Sequence, residues 1–164
     1  VGDQDCKGCH QTHGSEHFRL LVEDYPRRFY SPFSVDNYAL CFTCHDQQLV
    51  LAKQTTTITG FRNGDRNLHY LHVNKPDQGR SCRACHSTHA STNPMHVRKS
   101  VPFGNWQLPI NFTATPAGGK CASGCHQELS YDRVNPVVYE APASLPATGP
   151  APEQPEPATQ EAQP

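Results

Sequence analysis

The sequence is short of the residues that build a protein core. Only 35% of its 164 residues are hydrophobic, with one tryptophan and one methionine, while 15 prolines interrupt it. No apolar run approaches the roughly 20 residues a helix needs to cross a membrane, so no membrane span is expected. Strong positive charge is missing too, with a formal net charge of −1. That removes the electrostatic footprint of a nucleic-acid binder. A leader peptide is also absent, which fits a mature chain starting at Val1 after cleavage. What the chain has in quantity is cysteine and histidine, eight and ten of them.

The eight cysteines fall into four pairs, and each pair is followed directly by histidine. Cys6-Lys7-Gly8-Cys9-His10, Cys41-Phe42-Thr43-Cys44-His45 and Cys82-Arg83-Ala84-Cys85-His86 have the C-x-x-C-H spacing of c-type haem attachment. Cys121-Ala122-Ser123-Gly124-Cys125-His126 has one extra residue between its cysteines. The chemistry explains the spacing. One helical turn sets two thiols along a porphyrin edge for thioether formation and aims the following imidazole at the iron. Disulfides or zinc sites would also use cysteines, but neither requires a histidine after every second one. Four covalent haem c groups are therefore expected on Cys6, Cys9, Cys41, Cys44, Cys82, Cys85, Cys121 and Cys125, with His10, His45, His86 and His126 as proximal ligands.

Six histidines remain for four distal positions: His13, His17, His69, His72, His89 and His96. His13 and His89 lie three residues beyond a proximal histidine. Three residues span at most about 10 Å, too little to pass around the rim of the same porphyrin. Each must serve a different haem if it ligates at all. His69 and His72, three apart in a helical-looking stretch, share one face and suit two adjacent irons. His96 stands beside Met95. A Met/His haem would have a raised potential, but His96 is the preferred ligand. Nothing around His17 marks it.

One haem per roughly 35–40 residues makes the porphyrins the core and the polypeptide a wrapper. The expected fold is mostly irregular with short α-helices at the attachment sites, little β and a chain of stacked haems inside. The apoprotein is expected to be largely unfolded. Residues 18–33 interleave Phe18, Tyr25, Phe29, Tyr30 and Phe33 with Arg19, Arg27 and Arg28, rings suited to porphyrin faces and arginines suited to propionates. In residues 47–58 the first half suggests a short helix and Thr55–Ile58 extended chain. Asn63-Gly64-Asp65 suggests a turn and residues 90–120 irregular chain. Residues 1–140 form the haem-binding domain, with 14 Lys and Arg against 12 Asp and Glu. Residues 141–164 hold seven prolines, three glutamates and no base, and read as a polyproline-like tail. Propionates would make the loaded protein acidic, a further argument against nucleic acid.

The order Cys41-x-x-Cys44-His45, Phe61-Arg62-Asn63-Gly64, Leu68-His69-x-x-His72-Val73, Cys82-x-x-Cys85-His86-x-x-His89-Ala90-Ser91 resembles the doubled-CXXCH unit of bacterial multihaem cytochromes. Gly104-Asn105-Trp106 and the expanded fourth motif are similar to tetrahaem members. The resemblance covers roughly residues 1–135 and implies bis-histidine, low-spin haems in a close-spaced chain that carries electrons. Some members of that group polymerise into extracellular conductive filaments, in which a histidine of one subunit completes a haem of the next. The implied partners are further copies of the chain, head to tail, and redox proteins or extracellular acceptors. The implied location is extracellular or cell-surface, and a soluble periplasmic shuttle is the alternative. A nitrite- or hydroxylamine-type reductase needs an open iron, whereas candidate ligands here outnumber irons. An electron carrier rather than an enzyme is expected.

Overall fold

The computed structural model describes residues 5–89 and 91–139. Regular structure comes in short pieces because prolines and glycines cut every apolar stretch. The α-helices of the described residues are α1 (Ala39–Phe42), α2 (Gln48–Leu51) and α3 (Leu68–Val73). Single 3-10 turns occupy Cys6–Gly8, Phe18–Leu20, Asp36–Tyr38, Cys82–Ala84 and Pro94–His96. The strands β1 (Tyr30–Ser31), β2 (Arg62–Asn63), β3 (Arg66–Asn67) and β4 (Gly79–Arg80) make two minimal antiparallel pairs, β1 with β4 and β2 with β3. The hairpin of β5 (Ser100–Phe103) and β6 (Trp106–Pro109) follows. A three-stranded antiparallel sheet of β7 (Phe112–Thr115), β8 (Gly118–Cys121) and β9 (Leu129–Asp132) closes the described chain, with β8 central.

The irregular chain expected after residue 90 is corrected by β5 to β8. Gly104 has φ +58°, which lets Gly104-Asn105 turn the hairpin in two residues between the paired Phe103 and Trp106. Pro102 and Pro109 survive in these strands because a two-stranded ribbon leaves each strand one unpaired edge. The extended chain expected at Thr55–Ile58 is also corrected. The Thr55 hydroxyl accepts the N–H groups of Thr57 and Ile58 at 3.2 and 2.9 Å, closing a local turn that competes with the β preference. The Asn63-Gly64-Asp65 turn is present as the β2–β3 hairpin, with Gly64 at φ +59°.

The protein-only core is small. Tyr25, Tyr38, Val50 and Val73 form its buried cluster, flanked by Leu21, Phe33, Leu40, Phe42, Leu49 and the cysteines Cys41 and Cys82. Attachment cysteines thus sit at the margin of the aromatic core, and the Tyr25 hydroxyl accepts the Arg83 N–H at 2.8 Å within the third motif. Asn67 ties the helices together. Almost wholly buried, its side chain caps α3 by accepting the His69 and Tyr70 N–H groups and donates to the carbonyls of Leu49 and Ala52 at 2.9 and 2.8 Å. The start of α3 is thereby locked to the end of α2.

Candidate haem-attachment sites

The first three motifs share one backbone geometry. In each, the carbonyl of the first cysteine accepts from the second cysteine and from the histidine. The distances are 3.3 and 2.9 Å at Cys6, 3.3 and 2.9 Å at Cys41, and 3.2 and 2.8 Å at Cys82. Such a turn carries both thiols and the imidazole on one short spiral. Two of these turns are 3-10 and the second lies in α1. The fourth motif does not form the expected helical turn. Cys121 ends β8, Ala122 and Gly124 donate outward to Asn111 and Pro109, and His126 donates to Ser123 at 3.4 Å. The extra residue absorbs this anchoring. A Cβ on Gly124 would lie 2.5 Å from Leu108 Cδ1, so a larger residue here would have to push the Leu108 side chain of β6 aside.

A longer duplication surrounds motifs one and three. Gln11 and Ser87 donate to Leu20 and His96, and Val22 and Arg98 donate to Cys9 and Cys85. Ser15 and Ser91 hydroxyls accept from His17 and Asn93. Each segment passes through two consecutive positive-φ residues, Arg19-Leu20 and Met95-His96. The segments are offset by 76 residues and share Cys-x-x-Cys-His-x-Thr-His-x-Ser. That pattern was legible in the sequence beyond the paired His13 and His89, but the matching loops downstream share almost no side chains.

The imidazoles are held in a common way. Nδ1 of His10, His72, His86 and His126 donates to the carbonyls of Arg19, Leu68, Met95 and Gln127 at 3.1, 2.7, 2.9 and 2.6 Å. A carbonyl only accepts, so Nδ1 carries the proton and Nε2 keeps its lone pair outward, as a metal ligand requires. The His69 Nδ1 lies 3.0 Å from the Thr59 hydroxyl, a partner that can accept its proton as well as donate. The rings of His10 and His89 are nearly parallel, with centroids 6.2 Å apart and planes at 27°. Those of His69 and His86 repeat this at 6.4 Å and 24°. Two imidazoles on opposite sides of one metal have centroids roughly 6 Å apart, from bonds of about 2.0–2.1 Å plus the half-width of each ring. The residues therefore fit a six-coordinate iron.

Residues 1–49 match a protein-family model. Its description is the doubled CXXCH motif, and the match takes in the first two attachment pairs. Together with the motifs it supports a multihaem c-type cytochrome and indicates covalently bound haem c. No curated protein and no solved structure matches the chain.

Burial governs the electrostatics of the candidate ligands. The His69 imidazole is pushed down to about 4, by burial first and then by the like charges of His86, His72 and His45. Burial likewise lowers His72 and His86, and the neighbouring charge of His126 contributes at His72. All three stay neutral at pH 7 with Nε2 available. The thiols of neighbouring motifs approach one another. A hydrogen bond joins Cys41 and Cys82, and together with burial it pushes the Cys41 thiol up. Cys85 is pushed up to about 11 by burial first, then by Cys121. Phe61, to which sequence reasoning assigned no role, stacks on His72 at 5.6 Å and meets His69 edge-on at 5.1 Å, steadying both rings. His13, His45, His89 and His96 are exposed. His17 is placed apart from these rings' common pattern, with Nδ1 3.0 Å from Asp24.

Proposed function

We propose that the chain is an electron carrier holding four bis-histidine haem c groups, and that copies of it assemble into an extracellular conductive filament. The nearly parallel pairs His10–His89 and His69–His86, at the spacing of two imidazoles on one iron, carry the reading. On that reading we give His89 to the first motif's haem and His69 to the third's. We give His72, whose imidazole feels the charge of His126, to the fourth. His45 is then completed by His13, His17 or His96, from its own chain or from the next copy. Bound haem supplies reversible one-electron chemistry at low potential, as bis-histidine ligation favours. The residues fix the ligand rings through carbonyl and hydroxyl acceptors, so little rearrangement accompanies a change of charge. The contact of Cys41 with Cys82 and the neighbourhood of Cys85 and Cys121 support attachment of successive haems edge to edge.

With both axial positions filled, no iron is left for substrate, and the chain is no enzyme. A head-to-tail contact that does not close on itself yields a filament. Electron micrographs of purified loaded protein test the assembly, with intact mass giving the haem count. Filaments of a four-haem subunit are expected. Monomers under all conditions would make the protein a periplasmic shuttle, and a count below four would remove a motif from the scheme.

A further inference from the structure

Four arginines line one cleft of about 210 Å³ beside the third attachment turn. Arg27, Arg28, Arg83 and Arg98 line it, with Phe29 and Val101 as apolar walls and no acidic residue among its lining. None of the four forms an ion pair among the described residues, where the ion pairs are His17–Asp24 and Lys120–Glu128. Arg83 Nε is buried without a hydrogen-bond partner. Arg98 Nε is spent on the His86 carbonyl at 2.9 Å, which fixes the rest of its guanidinium at the cleft wall. Leaving a charged donor buried without a partner is costly. Arg98, half-buried like Arg83, adds like charge beside it, while Arg27 and Arg28 are exposed. An anion inside would relieve both.

We infer that this cleft is a carboxylate-binding site. Its lining takes in Ser81, Arg83 and Ala84 of the third attachment segment but no attachment cysteine and no histidine. The haem on Cys82 and Cys85 is not the source, because the thioether edge of a porphyrin lies opposite its propionate edge and Arg83 is on the attachment turn. The carboxylates come either from the propionates of another haem or from Glu153, Glu156 and Glu161 in residues 141–164, the segment that carries no base. Planar guanidinium groups match carboxylates in both cases.

The test uses the full-length loaded protein, with the variants R28Q/R83Q and R27Q/R28Q read against the unaltered chain. Potentials are followed by spectroelectrochemical titration, and cleavage at the tail glutamates by a glutamate-directed protease. Propionates in the cleft predict that one haem falls in potential, because losing a cation favours the ferric state. A tenfold change in the oxidised-to-reduced ratio corresponds to ~59 mV. Tail glutamates in the cleft predict unchanged potentials and roughly tenfold faster cleavage, matched in the unaltered protein by high salt. The pair of variants guards against a local folding defect in either one. Unchanged potentials together with unchanged cleavage in both variants would overturn the proposal.

Discussion

At the scale of single residues, the account turns on which nitrogen faces the iron and what holds the other. Four of the five anchored imidazoles donate to backbone carbonyls, which no substitution removes, whereas His69 relies on the Thr59 hydroxyl. That oxygen also accepts the Phe61 N–H at 3.0 Å, which holds the hydroxyl in place beside the His69 ring. Thr59→Val removes the acceptor and makes His69 a poorer donor to ferric iron. The haem on Cys82 and Cys85 should rise in potential by up to tenfold in its redox ratio, ~59 mV, with the other haems unchanged. Redox titration with haem-resolved spectra checks it, and an unmoved third haem would remove Thr59 from the ligand's support. His89→Ala should perturb the spectrum of the haem on Cys6 and Cys9, while the thioethers at Cys82 and Cys85 stay intact by peptide mass. A perturbation confined to the third haem would refute the His10–His89 pairing.

At the scale of elements, α3 presents two ligands at once, and Asn67 decides where it starts. Asn67→Ala leaves the carbonyls of Leu49 and Ala52 without donors and uncaps α3. A loss of about 2–4 kcal/mol is expected in denaturant unfolding, with the third and fourth haems disturbed together. A loss below about 1 kcal/mol would make the cap incidental. The turn after β9 offers a pH test. The Asp132 carboxylate accepts the Asn135 and Val134 N–H groups, which hold its pKa below the ordinary 3.8. Its contribution is therefore complete above about pH 3.8 and lost as pH falls through the depressed value. Carboxyl titration by NMR should place its midpoint under 3.8, and Asp132→Asn should flatten that part of the acid limb. The helix of the two histidines, the short α2 and the Asn63-Gly64 hairpin were all legible in the sequence, because each is set by local periodicity or turn chemistry. The β5 to β9 ribbons were not. Val101/Phe103, Trp106/Leu108, Phe112/Ala114 and Leu129/Tyr131 do alternate, but each strand is only four residues long. Pro102, Pro109 and Gly118-Gly119 interrupt the pattern, and Trp106 is 76% exposed, so no half-buried strand stands out. Motif spacing revealed the candidate ligands, but their pairing depends on how distant segments pack.

At the scale of the molecule, the described residues bury only eight hydrophobic side chains, four of which form the central cluster. Such a core is too small to hold the chain unaided. Protein made without haem attachment should show a disordered far-ultraviolet spectrum and no cooperative melting, and a sharp transition would mean that the polypeptide folds on its own. The central claim is that every iron is held between two imidazoles, which leaves electron transfer as the chemistry. Electron paramagnetic resonance of the oxidised, fully loaded protein addresses it most directly. The account predicts low-spin ferric signals alone, integrating to four irons per chain. A high-spin signal worth one iron in four would contradict it and mark an open site where a substrate binds.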